Sequence, residues 1–146
     1  MNQRTVYQSM PRRLLVSLPP GASVHEAACV MTRANCGSVL VVGEGTQLLG
    51  IVTERDLMTR VVAKAVDPSK TTLAGVMTPN PRCIGPNTKV EDAVLIMLER
   101  GFRHLPVVGE GNTLLGVFSA RDALPREIGA AVSLAEFNEQ VNDSLG

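Results

Sequence analysis

Two four-residue segments set a hydroxyl, a guanidinium and a carboxylate side by side: Thr53-Glu54-Arg55-Asp56 and Ser119-Ala120-Arg121-Asp122. Each has a glycine three residues upstream, Gly50 and Gly116. These groups suit a sugar phosphate. Thr53 or Ser119 can hydrogen-bond a phosphate, Arg55 or Arg121 can neutralise it with a planar fork of donors, and Asp56 or Asp122 can accept from two adjacent ribose hydroxyls. A strand handing over to a helix at this point would add unpaired amide donors and the positive end of the helix dipole. Gly50 and Gly116 lack a Cβ, which permits close approach of backbone or ligand.

The same spacing has a ligand-free explanation, because Thr53-x-x-Asp56 and Ser119-x-x-Asp122 also fit helix caps. A cap requires neither the upstream glycine nor the arginine between the capping pair, yet both segments keep both. Duplication therefore favours the ligand reading, while passive inheritance keeps the cap reading open.

Other reactive groups are weaker candidates. His104 beside Arg103 can face a phosphate or serve as a satisfied structural histidine. Eleven Arg against three Lys suit bidentate phosphate contacts, and genomic composition explains the excess as well. Met10, Met31, Met58, Met77 and Met97 read as core fillers, and Glu44 and Glu110 as solvated turn residues. Cys29, Cys36 and Cys83 are odd in number and lack a C-x-x-C spacing, so reduced thiols are expected rather than a disulfide framework or zinc site. No carboxylate pair, Ser/His/Asp set or activated cysteine emerges, and no enzyme is expected.

The elements that must position these groups come in two copies. Val41-Val42-Gly43-Glu44-Gly45 returns 66 residues later as Val107-Val108-Gly109-Glu110-Gly111, and residues 20 to 57 share 14 identities in 38 with residues 86 to 123. With a one-residue shift, Thr5 to Met10 also resembles Thr72 to Met77. Each copy opens with a short extended piece, Leu15 to Leu18 or Arg82 to Ile84. A helix follows, with its buried face on Val24, Ala27, Ala28 and Met31, or on Val90, Ala93, Val94 and Met97. Ser23 with Glu26, and Thr88 with Glu91, match capping boxes. Two β-branched runs joined by Gly-Glu-Gly then predict hairpins, Ser38 to Val42 with Leu48 to Val52, and Leu105 to Val108 with Leu114 to Phe118.

A second helix in the first copy carries Leu57, Met58, Val61, Val62 and Ala65 and stops at Asp67-Pro68. In the second copy Pro125 interrupts a helix begun at Ala120, so that helix starts late or kinks. Ser133-x-x-Glu136 predicts a C-terminal helix over 133–145 with Leu134, Phe137, Val141 and Leu145 on one stripe, docked on its own body or on a partner. The expected fold is α+β, with β-α-β-β-α repeats over 5–67 and 72–127. Units of about 60 residues bury too little core to stand comfortably alone, so the repeats are expected to pack pseudo-symmetrically through their sheets.

Composition limits the partners. The 146 residues are 45% hydrophobic and 19% charged, as expected of a folded chain. Fourteen basic residues balance fourteen acidic ones, and one Tyr, three Phe and no Trp offer few stacking platforms, which argues against nucleic acid. No apolar run approaches the roughly 18 residues of a membrane span. Around Arg4, Arg12 and Arg13, the apolar piece Leu14 to Leu18 is too short for a secretory core before Pro19 and Pro20, so cytoplasm is expected.

The repeats, the two Gly-x-x-Thr/Ser-x-x-Asp segments and Phe102-Arg103-His104-Leu105-Pro106-Val107-Val108 resemble a tandem CBS-domain protein, or Bateman module, over about residues 5 to 127. The resemblance implies clefts between repeats that bind adenosine-containing ligands such as AMP, ADP, ATP, NAD or S-adenosylmethionine, with AMP or ATP foremost and no cofactor required. It implies that Asp56 or Asp122 holds the ribose, that Thr53 or Ser119 contacts ribose or phosphate, and that Arg103, His104 and Pro106 line a pocket. It further implies a homodimer that regulates another protein in trans. A ligand-independent dimerisation scaffold is the alternative. The chain departs from the pattern where Cys36-Gly37-Ser38-Val39-Leu40 stands in place of Phe102 to Pro106, so unequal clefts are expected.

Overall fold

The computed structural model describes residues 3–10 and 15–145, leaving Arg12, Arg13 and Leu14 outside the described residues together with the Leu145 side chain. The first repeat contains β1 (Ser17–Leu18), α2 (Val24–Ala34), β2 (Ser38–Val42), β3 (Leu48–Thr53) and α3 (Glu54–Leu57), which continues as a π-helical turn over Met58–Val62. The second contains α5 (Val90–Arg100), β5 (His104–Val108), β6 (Leu114–Ser119) and α6 (Pro125–Leu145). Two short helices, α1 (Val6–Ser9) and α4 (Leu73–Val76), precede the repeats, and β4 (Thr78–Pro79) follows α4.

The expected hairpins form. β2 pairs antiparallel with β3, and β5 with β6 in the same register: Ser38 opposite Thr53, His104 opposite Ser119. Gly45 and Gly111 take a left-handed φ of 66° in the connecting turns, a conformation that glycine adopts without steric cost. β1 adds to β2 in parallel, completing a sheet in the order β1-β2-β3-β4, while Ile84 makes the equivalent parallel bridge to Val107.

Strand alternation divides the apolar residues between two jobs. Val39, Val41 and Val52 pack with Ala27 and Met31 of α2 in one core, and Leu105, Val107 and Phe118 pack with Ala93 and Met97 of α5 in the other. Leu40 and its counterpart Pro106 lie on the opposite strand faces and are fully buried too, so both faces of each hairpin are covered at these positions.

The two short helices serve opposite repeats. Leu73 and Val76 of α4 enter the first core, whereas Val6 of α1, at the start of the chain, enters the second. The backbone ties agree: Val24 N–H donates to Thr71 O, and Val90 N–H donates to Arg4 O. This exchange corrects one cap. Ser23 caps α2 by accepting from Glu26 N–H, but the N-cap of α5 is Lys89, not Thr88, with no side-chain bond; the incoming Arg4 carbonyl takes the first amide instead.

Further differences lie in the second helices. Val61 is buried, but Met58, Val62 and Ala65 are exposed, because the π-helical turn shifts the expected stripe away from the core. Past Ser119 the chain makes one 3₁₀ turn, Ala120–Asp122, and starts afresh at Pro125, whose missing N–H costs nothing at a helix start. Ser133 is interior to α6 rather than its cap. The face of α6 turned inward carries Glu127 and Ala131, while Leu134, Phe137 and Val141 are exposed.

Candidate functional site

Each hydroxyl–carboxylate pair stands where a strand gives way to a helical turn. Thr53 is the N-cap of α3: its Oγ1 accepts from Asp56 N–H at 3.3 Å, and Asp56 Oδ2 accepts from Thr53 N–H at 2.9 Å and from its hydroxyl at 3.2 Å. In the second copy Asp122 Oδ2 accepts from Ser119 N–H at 2.9 Å, and Ser119 Oγ accepts from Arg121 N–H at 3.3 Å. The cap reading is therefore correct as far as it goes. It uses Oδ2 of each aspartate, while Asp56 Oδ1 lies 3.7 Å from Arg60 Nε. Each aspartate is thus held in one orientation beside an open concavity.

Two clefts adjoin these caps, and each joins the cap of one repeat to the first residues of the opposite hairpin. The larger, about 780 Å³, brings Thr53, Arg55 and Asp56 together with Phe102, Arg103 and His104. The smaller, about 350 Å³, brings Ser119, Arg121 and Asp122 together with Cys36, Gly37 and Ser38. The two are related by the 66-residue offset, so the sequence difference between Cys36-Gly37-Ser38 and Phe102-Arg103-His104 becomes a difference between cleft walls. Both volumes fall within the roughly 300–1,000 Å³ of small-molecule sites.

His104 belongs to both linings. It is half-buried, and a Cβ placed on Gly37 would lie 3.0 Å from its Nε2 and 2.7 Å from Glu54 Oε1, so Gly37 lets both side chains approach the start of β2. Burial holds the imidazole below its ordinary pKa; the Glu54 carboxylate opposes this, and the Arg121 and Arg103 charges reinforce it.

Of the residues singled out by sequence, Gly50 and Pro106 line neither cleft. Gly50 is buried against the linker: a Cβ there would meet Met77 Sδ at 2.5 Å and the Thr78 carbonyl at 2.8 Å, where β4 pairs with β3. Gly116 lines the smaller cleft, and Arg121 lines both. Sequence reasoning missed Arg60, Arg82 and Asn80 in the larger cleft, and Leu15 and Val16 in the smaller. Arg82 had a signal, since the 66-residue offset sets it against Val16 in the same extended piece.

Duplicated caps and paired hairpins, facing each other across two clefts of small-molecule size, define a tandem-repeat module. The chain belongs to the CBS-domain family, whose model matches residues 8–63 and 73–127. It is 41% identical over 102 residues to the meiotically up-regulated gene 70 protein of Schizosaccharomyces pombe, covering 66% of this chain but 14% of that relative's length. A CBS domain protein of Pyrobaculum aerophilum, PAE2072, solved in complex with AMP, superposes with a TM-score of 0.77 at 25% identity, covering 90% of this chain and all of that one. CBSX2, also solved with AMP, gives a TM-score of 0.66 at 27% identity, covering 89% of this chain and 97% of its own. Among the described residues no helix is long and apolar enough to cross a membrane.

Proposed function

We propose that this protein is a non-catalytic regulatory module that binds adenosine-containing ligands in the two clefts between its repeats and acts on a partner protein in trans as a homodimer. The observation that carries the reading is the composition of each cleft: a Thr/Ser–Asp cap from one repeat and a hairpin start from the other. A ligand touching both repeats has different contacts whenever their arrangement changes, and only such differential binding can turn occupancy into a signal. The AMP held by two relatives supports adenosine as the recognised group. In this reading Asp56 and Asp122 accept from ribose hydroxyls, Thr53 and Ser119 contact ribose or phosphate, and Arg55, Arg103 and Arg121 contact phosphate.

Calorimetric titration with AMP, ADP, ATP, NAD and S-adenosylmethionine tests this. At least one should bind saturably, and Asp56→Ala or Asp122→Ala should weaken it by tenfold or more while the variant remains folded at the assay temperature. Flat heats with all five would overturn the reading.

One observation favours the scaffold alternative: both aspartates already serve as caps. That alternative requires assembly that responds to protein concentration and ignores nucleotide, which sedimentation with and without ligand distinguishes.

A further inference from the structure

We propose that the larger cleft selects by phosphate number and takes adenosine di- and triphosphate in preference to the monophosphate; this rests on the reading that the cleft binds an adenosine ligand. Five arginines line it, Arg55, Arg60, Arg82, Arg103 and Arg121, against two carboxylates, Glu54 and Asp56. Arg60 is committed, because its Nη1 donates to the carbonyls of Val76 and Met77 at 3.0 Å and its Nε faces Asp56. Among the described residues, the other four guanidinium groups make no hydrogen bond or ion pair.

Four positive charges that repel one another in a single concavity form an unsatisfied anion site, and each additional phosphate on a ligand relieves more of that repulsion. Arg55 and Arg121 are counterparts in the two repeats, but the rest of the free charge belongs to this cleft alone. At the 66-residue offset Arg82 faces Val16 and Arg103 faces Gly37. Arg60 faces Arg126, which the late start of α6 leaves outside both linings. The charged residues described around the smaller cleft are Arg121 and Asp122 alone. The four guanidinium groups are exposed, so their attraction for a polyphosphate should be strong at low salt and screened as the Debye length shrinks.

The test is titration of the full chain with adenosine, AMP, ADP and ATP in magnesium-free buffer at low and high salt. Affinity should rise about three- to tenfold with each phosphate at low salt. The ATP-to-AMP affinity ratio should shrink at high salt and fall towards one in an Arg82→Ala/Arg103→Ala double variant that melts like the parent. Arg126→Ala, outside the cleft, should keep the parental ratio. AMP binding with ATP no tighter would overturn this proposal and leave the adenosine reading standing. A phosphate preference that survives in the double variant would assign it to the other cleft and overturn the proposal too. Absence of binding by all four would overturn both.

Discussion

At the residue scale, His104 and Gly50 show how neighbours decide a side chain's job. Burial lowers the His104 pKa, so between that value and the ordinary 6.5 the unfolded chain binds a proton that the folded chain does not. This contribution to stability is complete above pH 6.5 and is lost as pH falls towards the folded value. Denaturant titrations should therefore show stability decreasing below pH 6.5, with a smaller slope in His104→Gln; identical slopes would remove the effect. Gly50 gives β4 room to pair with β3, and Gly50→Ala should cost about 1–3 kcal/mol in denaturant unfolding, because the added methyl meets a backbone carbonyl. The sequence left Gly50 open between backbone and ligand. The backbone reason lies in the linker's path across β3, a contact between segments nearly thirty residues apart.

At the element scale, the start of the chain is fastened to α6. Arg4 Nη2 lies 2.7 Å from Glu127 Oε1 and donates to the Asp122 carbonyl at 3.1 Å, while Glu127 also accepts from Leu124 N–H. The Arg4 bond holds the Glu127 carboxyl below its ordinary pKa, so the stability it confers is present above pH 4.5 and fades as pH falls towards the lowered value. Arg4→Ala should cost about 1–3 kcal/mol in chemical denaturation by leaving a buried carboxylate short of a partner. Adding Glu127→Gln to it should cost less than the two single losses summed; full additivity would deny the coupling. The late start of α6 was legible in Pro125, but its length was not. Ser133-x-x-Glu136 looks like a cap, yet Ala131 and Glu127 extend the buried face upstream with a small residue and a paired acid, which carry no hydropathy signal.

At the scale of the whole molecule, the duplication, the hairpins and the residues of each cap were written plainly in the 66-residue repeat. The crossed assembly was not, because Thr5 to Met10 and Thr72 to Met77 are alike and sequence does not say which repeat each one serves. Since Val6 fills the second core, Val6→Ala should speed amide hydrogen exchange in α5 and β5 more than in α2 and β2, despite its place at the chain's start; the reverse pattern would contradict the exchange. The pairing of each cap with the opposite hairpin has the same origin: it depends on how the two sheets face each other, which spacing along one chain does not encode. The most direct measurement is backbone NMR of the isotope-labelled protein titrated with AMP and, separately, with ATP. Coincident, saturable shifts at Thr53 and Asp56 in one repeat and at Arg103 and His104 in the other are expected. Shifts confined to one repeat, or none with either AMP or ATP in excess, would contradict a ligand site built jointly by both.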